Sequence, residues 1–398
     1  MVLPPLLRPR YSSLVLLALL IAGLLFSRAL LSIMMGAGIL LLIIPAFRRD
    51  FISVFKKPLL YAISGIVLFY TWLLLREPDV STWQRLFFHL SSISILCLLW
   101  FMVAGADLFL PVILSLGVLS TLPSLYDMLI HDGLAALYEK GQVAYTLMQG
   151  DHQRFTIWIS GCLALSWYYG LMEHKRPAVY YILFFSFFLL MLAVRTGWLF
   201  VLLISAAGGF IFLIRQAKRQ YWYIAMLILL LLPVLMYSIP FSRKKIQYMQ
   251  WEWREQRAAE KLGGSDAVRR MVNETAVELI RENPGGLGVA GAAKTLEERT
   301  KTKYPDTQAS YQWPFNQYLQ WGLAAGWVMG LVPVLLLLFL LYRLYFTRNY
   351  LTAVWVLFIS LTGLYESTLE MQYGLFLSVF FTGLIYLYES GLRKRVRS

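Results

Sequence analysis

The polar side chains best suited to chemistry in this 398-residue chain stand in four short stretches, each at the end of an apolar run. Asp151, His152 and Arg154 lie in GDHQRFTIW, and Arg195 lies in AVRTGW. Arg269 and Arg270 lie in SDAVRRM, and Asn316, Gln317 and Gln320 in YQWPFNQYLQWG. A polar group at a membrane boundary costs free energy unless water, a partner or a ligand satisfies it, so such groups are the first candidates for a site. A guanidinium fork pairs two phosphate oxygens at once and stays charged at any physiological pH. Arg154, Arg195, Arg269 and Arg270 brought together would therefore suit a bound diphosphate. Any one of these arginines could instead be an anchor that snorkels from a helix end to the interface. The turn holding Arg195 is too short to need a charge for solubility, which favours a site there. Trp251, Trp253 and Trp313 offer faces for a sugar ring, although most tryptophans of such a chain form an interfacial belt.

Other chemistries lack their residues. There is no Asp-x-Asp pair to hold a metal and a nucleotide sugar, no Walker loop, no His-Glu-x-x-His and no Gly-x-Ser-x-Gly. Gly286-x-Gly288-x-x-Gly291 has the spacing of a dinucleotide-binding turn, but that turn needs a strand before it. Here an amphipathic helix precedes it, so the glycines are expected to turn the backbone tightly behind a helix C-terminus, close to the membrane surface. Cys97 and Cys162 sit within apolar runs without metal-ligand spacing, and neither a metal nor a cofactor is expected. A net charge of +14 is of the kind that cytoplasmic loops accumulate to set orientation, so nucleic acid is not an expected partner.

The elements that must position these groups are read from hydropathy. With 59% hydrophobic and 15% charged residues, the chain is far from a soluble domain, which has about 25% charged. It reads as an all-α polytopic membrane protein. Apolar runs predict about twelve transmembrane helices, near residues 12–26, 29–46, 58–75, 83–103, 107–124, 154–171, 178–194, 197–214, 221–239, 316–341, 350–365 and 373–390. Arg8, Arg10, Arg48, Arg49, Lys56 and Lys57 fall on one side with Lys218, Arg219, Arg343 and the basic C-terminus, whereas the short loops opposite hold few such residues. The positive-inside rule then places both termini in the cytoplasm. Residues 1–240 would hold spans one to nine, 241–315 one large periplasmic loop, and 316–398 spans ten to twelve with a basic cytoplasmic tail. All four polar stretches fall on the periplasmic face. Within the loop, Val268, Met271, Val272, Ala276, Leu279 and Ile280 recur at helical spacing. Ser265 or Asp266 is placed to cap this helix and Asn283-Pro284-Gly285 to stop it. Its apolar face would rest either on the protein or on the bilayer.

DHQRFT, VRTG, SDAVRRM, ENPGGLGVAG, KYPDTQ and FNQYLQWGLAAG occur in an order and approximate spacing that resemble the O-antigen ligase and polymerase superfamily, in a Bacteroidetes-like form. The motifs span residues 151 to 326. The resemblance implies a metal-independent glycosyltransferase of the bacterial inner membrane, which takes a glycan from undecaprenyl diphosphate. The acceptor would be lipid A-core for a ligase, or another repeat unit for a polymerase of O-antigen or exopolysaccharide. It implies Arg195 and Arg269 as the groups that hold the diphosphate; Arg154 and Arg270, on the same face, are expected to support them. Asn316 and Gln317 would orient a sugar or acceptor hydroxyl, and Tyr311 and Trp313 would line the substrate site. One departure stands out: PFNQ replaces the PHNQ pattern, so Phe315 occupies the place of an imidazole and can neither transfer a proton nor donate a hydrogen bond. Either another group acts, with His152 and Tyr311 nearest by topology, or transfer does without a base, or it has been lost. A noncatalytic glycan-binding relative and a lipid-linked-glycan transporter are the alternatives from other classes.

Overall fold

The computed structural model describes residues 10–45, 48, 51, 59–103, 109–131, 146–148, 151–216, 234, 237–255, 265–305 and 311–390. Among them the structure is helical and no strand occurs, in keeping with the all-α reading. Eight helices follow the first eight apolar runs: α1 (Arg10–Phe26), α2 (Arg28–Leu41), α3 (Leu59–Arg76), α4 (Val80–Val103), α5 (Phe109–Tyr126), α6 (His152–Leu171), α7 (Ala178–Met191) and α8 (Arg195–Gln216). The run expected to be the ninth span, 221–239, lies mostly outside the described residues, as does the basic tail from 391. Leu59–Arg76, Leu110–Ile130 and Trp327–Phe346 are long and apolar enough to cross a membrane, by length and composition.

Capping side chains set the helix starts nearest the site. Asp79 accepts the backbone N–H of Thr82 at 2.9 Å, and Asp151 accepts that of Arg154 at 3.0 Å, so each satisfies a donor that a helix start leaves open. The last helix, α15 (Gln372–Glu389), is apolar all round and buried from Tyr373 to Tyr388. It forms the post against which α4, α6 and α14 (Tyr350–Thr362) pack. Trp355 and Phe358 meet Phe200 there and Phe381 meets Trp355, with ring centroids 4.5 Å apart for Phe200 and Phe358 and 5.2 Å for Trp355 and Phe381.

The single span expected over 316–341 is two helices. α12 (Gln317–Ala325) ends at Gly326, whose φ of 83° turns the chain into α13 (Trp327–Phe346). A Cβ on Gly330 would press on the backbone of Gly322, so the two helices approach at small residues. At nine residues, α12 is too short to cross a bilayer, which takes about 20.

The segment assigned to the large loop holds three helices, α9 (Pro240–Arg254), α10 (Ser265–Glu282) and α11 (Val289–Lys303). Only α10 was legible from periodicity. Its apolar face rests on protein: Val268, Met271, Val272, Ala276 and Leu279 bury against Ala292 and Leu296 of α11 and Leu323 of α12. Of the two expected caps, Asp266 turns its carboxylate to Arg195 instead, and Glu252 of α9 accepts the Asp266 N–H at 3.3 Å; the Ser265 side chain lies outside the described residues.

The glycines of ENPGGLG do turn the chain behind a helix C-terminus, with Gly286 and Gly288 at φ 82° and 71°. Their second use is to close another helix. Leu287 and Gly288 donate their N–H groups to Leu323 and Ala324 carbonyls at 2.9 Å, satisfying acceptors that the end of α12 leaves open. A Cβ on Gly286 would collide with the backbone of Gly326, and one on Gly326 with that of Pro284. Arg76, at the end of α3, fastens the same turn by donating to the Gly285 carbonyl and, at 3.2 Å, to that of Gly286.

Candidate functional site

Arg195 is the first residue of α8, set there by a tight turn in which Ala193 adopts a positive φ of 52°. Its fork makes two parallel bonds to Asp266, at 2.5 and 2.6 Å. Asp266 lies in the first turn of α10, one turn ahead of Arg269, so a single pair ties the α7–α8 turn to the helix that carries the second arginine. Lys245 of α9 stands within the field of both. Burial, then the charge of Arg195 and more weakly that of Arg269, hold its ammonium below the ordinary lysine range, against the pull of Asp266 and Glu252.

Arg269 donates to the Glu366 carboxylate and, at 3.3 Å, to the Tyr365 carbonyl. Its guanidinium carbon lies 5.3 Å from the centre of the Phe315 ring, and Tyr311 meets that ring edge-on at 5.6 Å. These contacts border a cavity of about 260 Å³. Asp151, Gln153 and Arg154 line it from α6, Tyr311, Trp313 and Phe315 from the segment before α12, and Glu366, Ser367 and Thr368 from the turn between α14 and α15. Arg154 pairs with Asp151 at 3.0 Å and lies 5.8 Å from the Tyr373 ring centre. The cavity thus combines a cation, two carboxylates and aromatic faces, the inventory for a charged and hydroxylated ligand.

Of the residues singled out by sequence, Arg154, Tyr311 and Trp313 line this cavity, and Arg269 packs behind Phe315 and Glu366 on its wall. Arg195 is not among the lining residues; its ion pair holds Asp266, on the helix that carries Arg269. Other candidates have internal duties. Asn316 caps α12: its Oδ1 accepts the N–H of Tyr318 at 2.9 Å and of Leu319 at 3.1 Å, and its Nδ2 donates to the Leu364 carbonyl. Gln317 is 1% exposed, with its amide nitrogen donating to Glu370 and its oxygen accepting the N–H of Leu369, both at 2.9 Å. It is turned into the core and does not line the cavity. His152 stands 3.4 Å from Thr146 Oγ1 and is not among the cavity-lining residues. Arg270 approaches Glu274 at 3.9 Å along its own helix, and it does not line the cavity either.

Sequence reading missed the two carboxylates of ESTLEMQ, Glu366 and Glu370. Glu370 is buried, and it accepts from Tyr70 of α3, Arg85 of α4, and Gln317 and Trp321 of α12, the last two at 2.9 and 2.8 Å. Burial alone would raise its carboxyl, but the Arg85 charge and these donors outweigh burial and hold it below the usual range. Arg85 also lies 4.4 Å from the Trp313 ring centre, so this buried knot supports the cavity wall. The available signal was a pair of acids in a short connection between two apolar runs, the same criterion that had been applied to the arginines.

Among the described residues the fold is all-helical, with three helices long and apolar enough to cross a membrane, and arginines and aromatic rings gather where short connections meet the helix ends. Residues 180–334 match the family model described as O-Antigen ligase (Wzy_C), a stretch that includes Arg195, Asp266, Arg269 and Phe315. Over that stretch the chain is similar to the O-antigen ligase and polymerase superfamily, as the sequence motifs implied. No curated protein matches it.

Proposed function

We propose that the protein is an inner-membrane glycosyltransferase of the O-antigen ligase type, moving a glycan from undecaprenyl diphosphate to lipid A-core or a comparable acceptor at the periplasmic face. The observation that carries this reading is the overlap of the family match with the arginine positions. Arg195 and Arg269 fall inside the matched stretch, one on the helix start beside α10 and one on α10 itself, and Arg269 pairs with Glu366 of the cavity wall. In this reading the diphosphate is held by Arg269 with Arg195 and Arg154 in support, and both termini lie in the cytoplasm. Tyr311 and Trp313 offer stacking faces to sugar. Positioned cations stabilise the charge that develops on a departing diphosphate, and holding two substrates in one cavity supplies much of the remaining rate. Phe315 cannot handle a proton, but its ring face is placed to steady Arg269.

Reconstitution with purified undecaprenyl-diphosphate glycan and a panel of acceptors tests the proposal, with transfer to lipid A-core expected. In cells, a deletion strain should accumulate lipid-linked long chains; single repeat units would mark a polymerase instead. Full transfer by an Arg195→Ala variant, in cells without a paralogue, would sink the reading.

A further inference from the structure

Among the described residues the cavity wall carries no imidazole, yet it does have a carboxylate with an oxygen to spare. Glu366 reaches it from the turn after α14. Its Oε1 takes both bonds, from Gln153 Nε2 at 2.7 Å and from Arg269. Among the described residues its Oε2 accepts none. The other carboxylate on the wall, Asp151, is engaged at both oxygens: Oδ1 caps α6 and Oδ2 pairs with Arg154 Nε at 3.0 Å. Tyr311, also on the wall, packs its ring against Phe315.

We propose that Glu366 is the general base of the glycan transfer, the group that receives the proton of the acceptor hydroxyl in this chain where Phe315 stands. This rests on the transfer reading above. As the hydroxyl oxygen forms its bond to the anomeric carbon of the donor, its proton passes to Glu366 Oε2. The bond from that carbon to the diphosphate oxygen breaks, and the electron pair leaves on the lipid diphosphate. The proton then passes from Glu366 to water.

The Arg269 pair gives the base a trigger. A donor diphosphate that takes over the Arg269 fork draws this cation away from Glu366, and the carboxylate becomes more basic once the donor is bound. The surroundings already lean that way. Burial raises the Glu366 carboxyl above the ordinary range, opposed by Arg269 of α10 and by Gln153 and Arg154 of α6, and assisted by Asp151 of α6. A carboxylate raised toward the working pH is the more effective base.

Purified full-length protein, assayed with undecaprenyl-diphosphate glycan and acceptor, tests the assignment in Glu366→Gln and Glu366→Asp variants. Glu366→Gln keeps an acceptor for Arg269 and Gln153, so donor KM should stay within a few-fold. Its kcat should fall about 10²- to 10⁴-fold, the usual share of a general base. The acid limb of the wild-type pH–rate profile should vanish. Glu366→Asp should keep an intermediate rate with the limb displaced, and it carries the test alone if Glu366→Gln does not fold. Wild-type rate in Glu366→Gln, or an acid limb unchanged in either variant, overturns the assignment and leaves the transfer reading standing. Absence of transfer by the wild-type protein across the acceptor panel overturns both.

Discussion

Arg195 and Asp266 join the start of α8 to the start of α10 by two parallel hydrogen bonds, so the arginine in the short turn and the helix bearing Arg269 are positioned by one contact. Asp266 occupies the place that a second oxygen pair, from a phosphate, would take on the same fork.

Arg195→Ala should therefore separate binding from stability. The pair is about one-quarter to one-third exposed, so its loss should cost at most about 1 kcal/mol of stability. Donor affinity should drop about tenfold to a hundredfold, since hydrogen bonds between charged groups contribute about 1.5–3 kcal/mol. Donor titration beside thermal denaturation in detergent measures both, and equal affinity in the two proteins counts against a role at the diphosphate.

Phe315→Leu should keep an apolar side chain, somewhat smaller, and lose the ring face beneath Arg269. A cation–π contact at a partly exposed site contributes about 0.5–1 kcal/mol, so transfer should fall about two- to fivefold. An unchanged rate would mean that the ring does not steady Arg269.

Gly286→Ala tests the clasp between the ENPGGLG turn and α12. The left-handed conformation alone costs a non-glycine residue about 1–2 kcal/mol, and collision with the Gly326 backbone adds to it. The unfolding midpoint should fall, and limited proteolysis near α10 and α11 should quicken. A wild-type midpoint would show that the turn relaxes without loss.

Helix α10 was readable because a soluble amphipathic helix announces itself by spacing, and Met271, Val272 and Leu279 did bury as that spacing required. Its neighbour α11 was hidden by its own start, where VAGAA after a glycine run reads as a continuing turn. The break at Gly326 was hidden because hydropathy runs unbroken through LAAGWVMG, and only the φ of 83° marks the change of direction. Asn316 and Gln317 were recognisable as polar groups at a helix start, but nothing in their types distinguishes a cap or a buried amide from a ligand contact. Glu366 carries no signal of its own beyond an acid in a short connection between apolar runs, which a solvated surface carboxylate shares.

Glu370→Gln should be among the most damaging single changes outside the cavity. Arg85 would remain buried without its counter-charge, and removing one partner of such a pair costs about 3–5 kcal/mol. Low yield and a lowered midpoint are expected, partly restored when Arg85→Met is added. A stable, well-expressed Glu370→Gln protein would contradict a supporting role for the knot.

Lys245 supplies a pH dependence with a definite sign. Its folded pKa lies below the ordinary 10.5, chiefly through burial and then Arg195. Between that lowered value and 10.5 the unfolded chain binds more protons than the folded one, so stability rises with pH across this window. Denaturation midpoints measured from neutral to alkaline pH should climb, and Lys245→Met should flatten the climb. An identical slope in the variant would assign it to another group.

Helix α10 behaves as a strut pinned at both ends: Asp266 grips α8 at one, and the helix stop at the other runs into the glycine clasp on α12. A beam held in this way has little room to slide or swing when a bulky lipid-linked sugar arrives. Adaptation then falls to the moving parts it carries, above all a guanidinium that can exchange a glutamate for a phosphoryl oxygen while the backbone stays still.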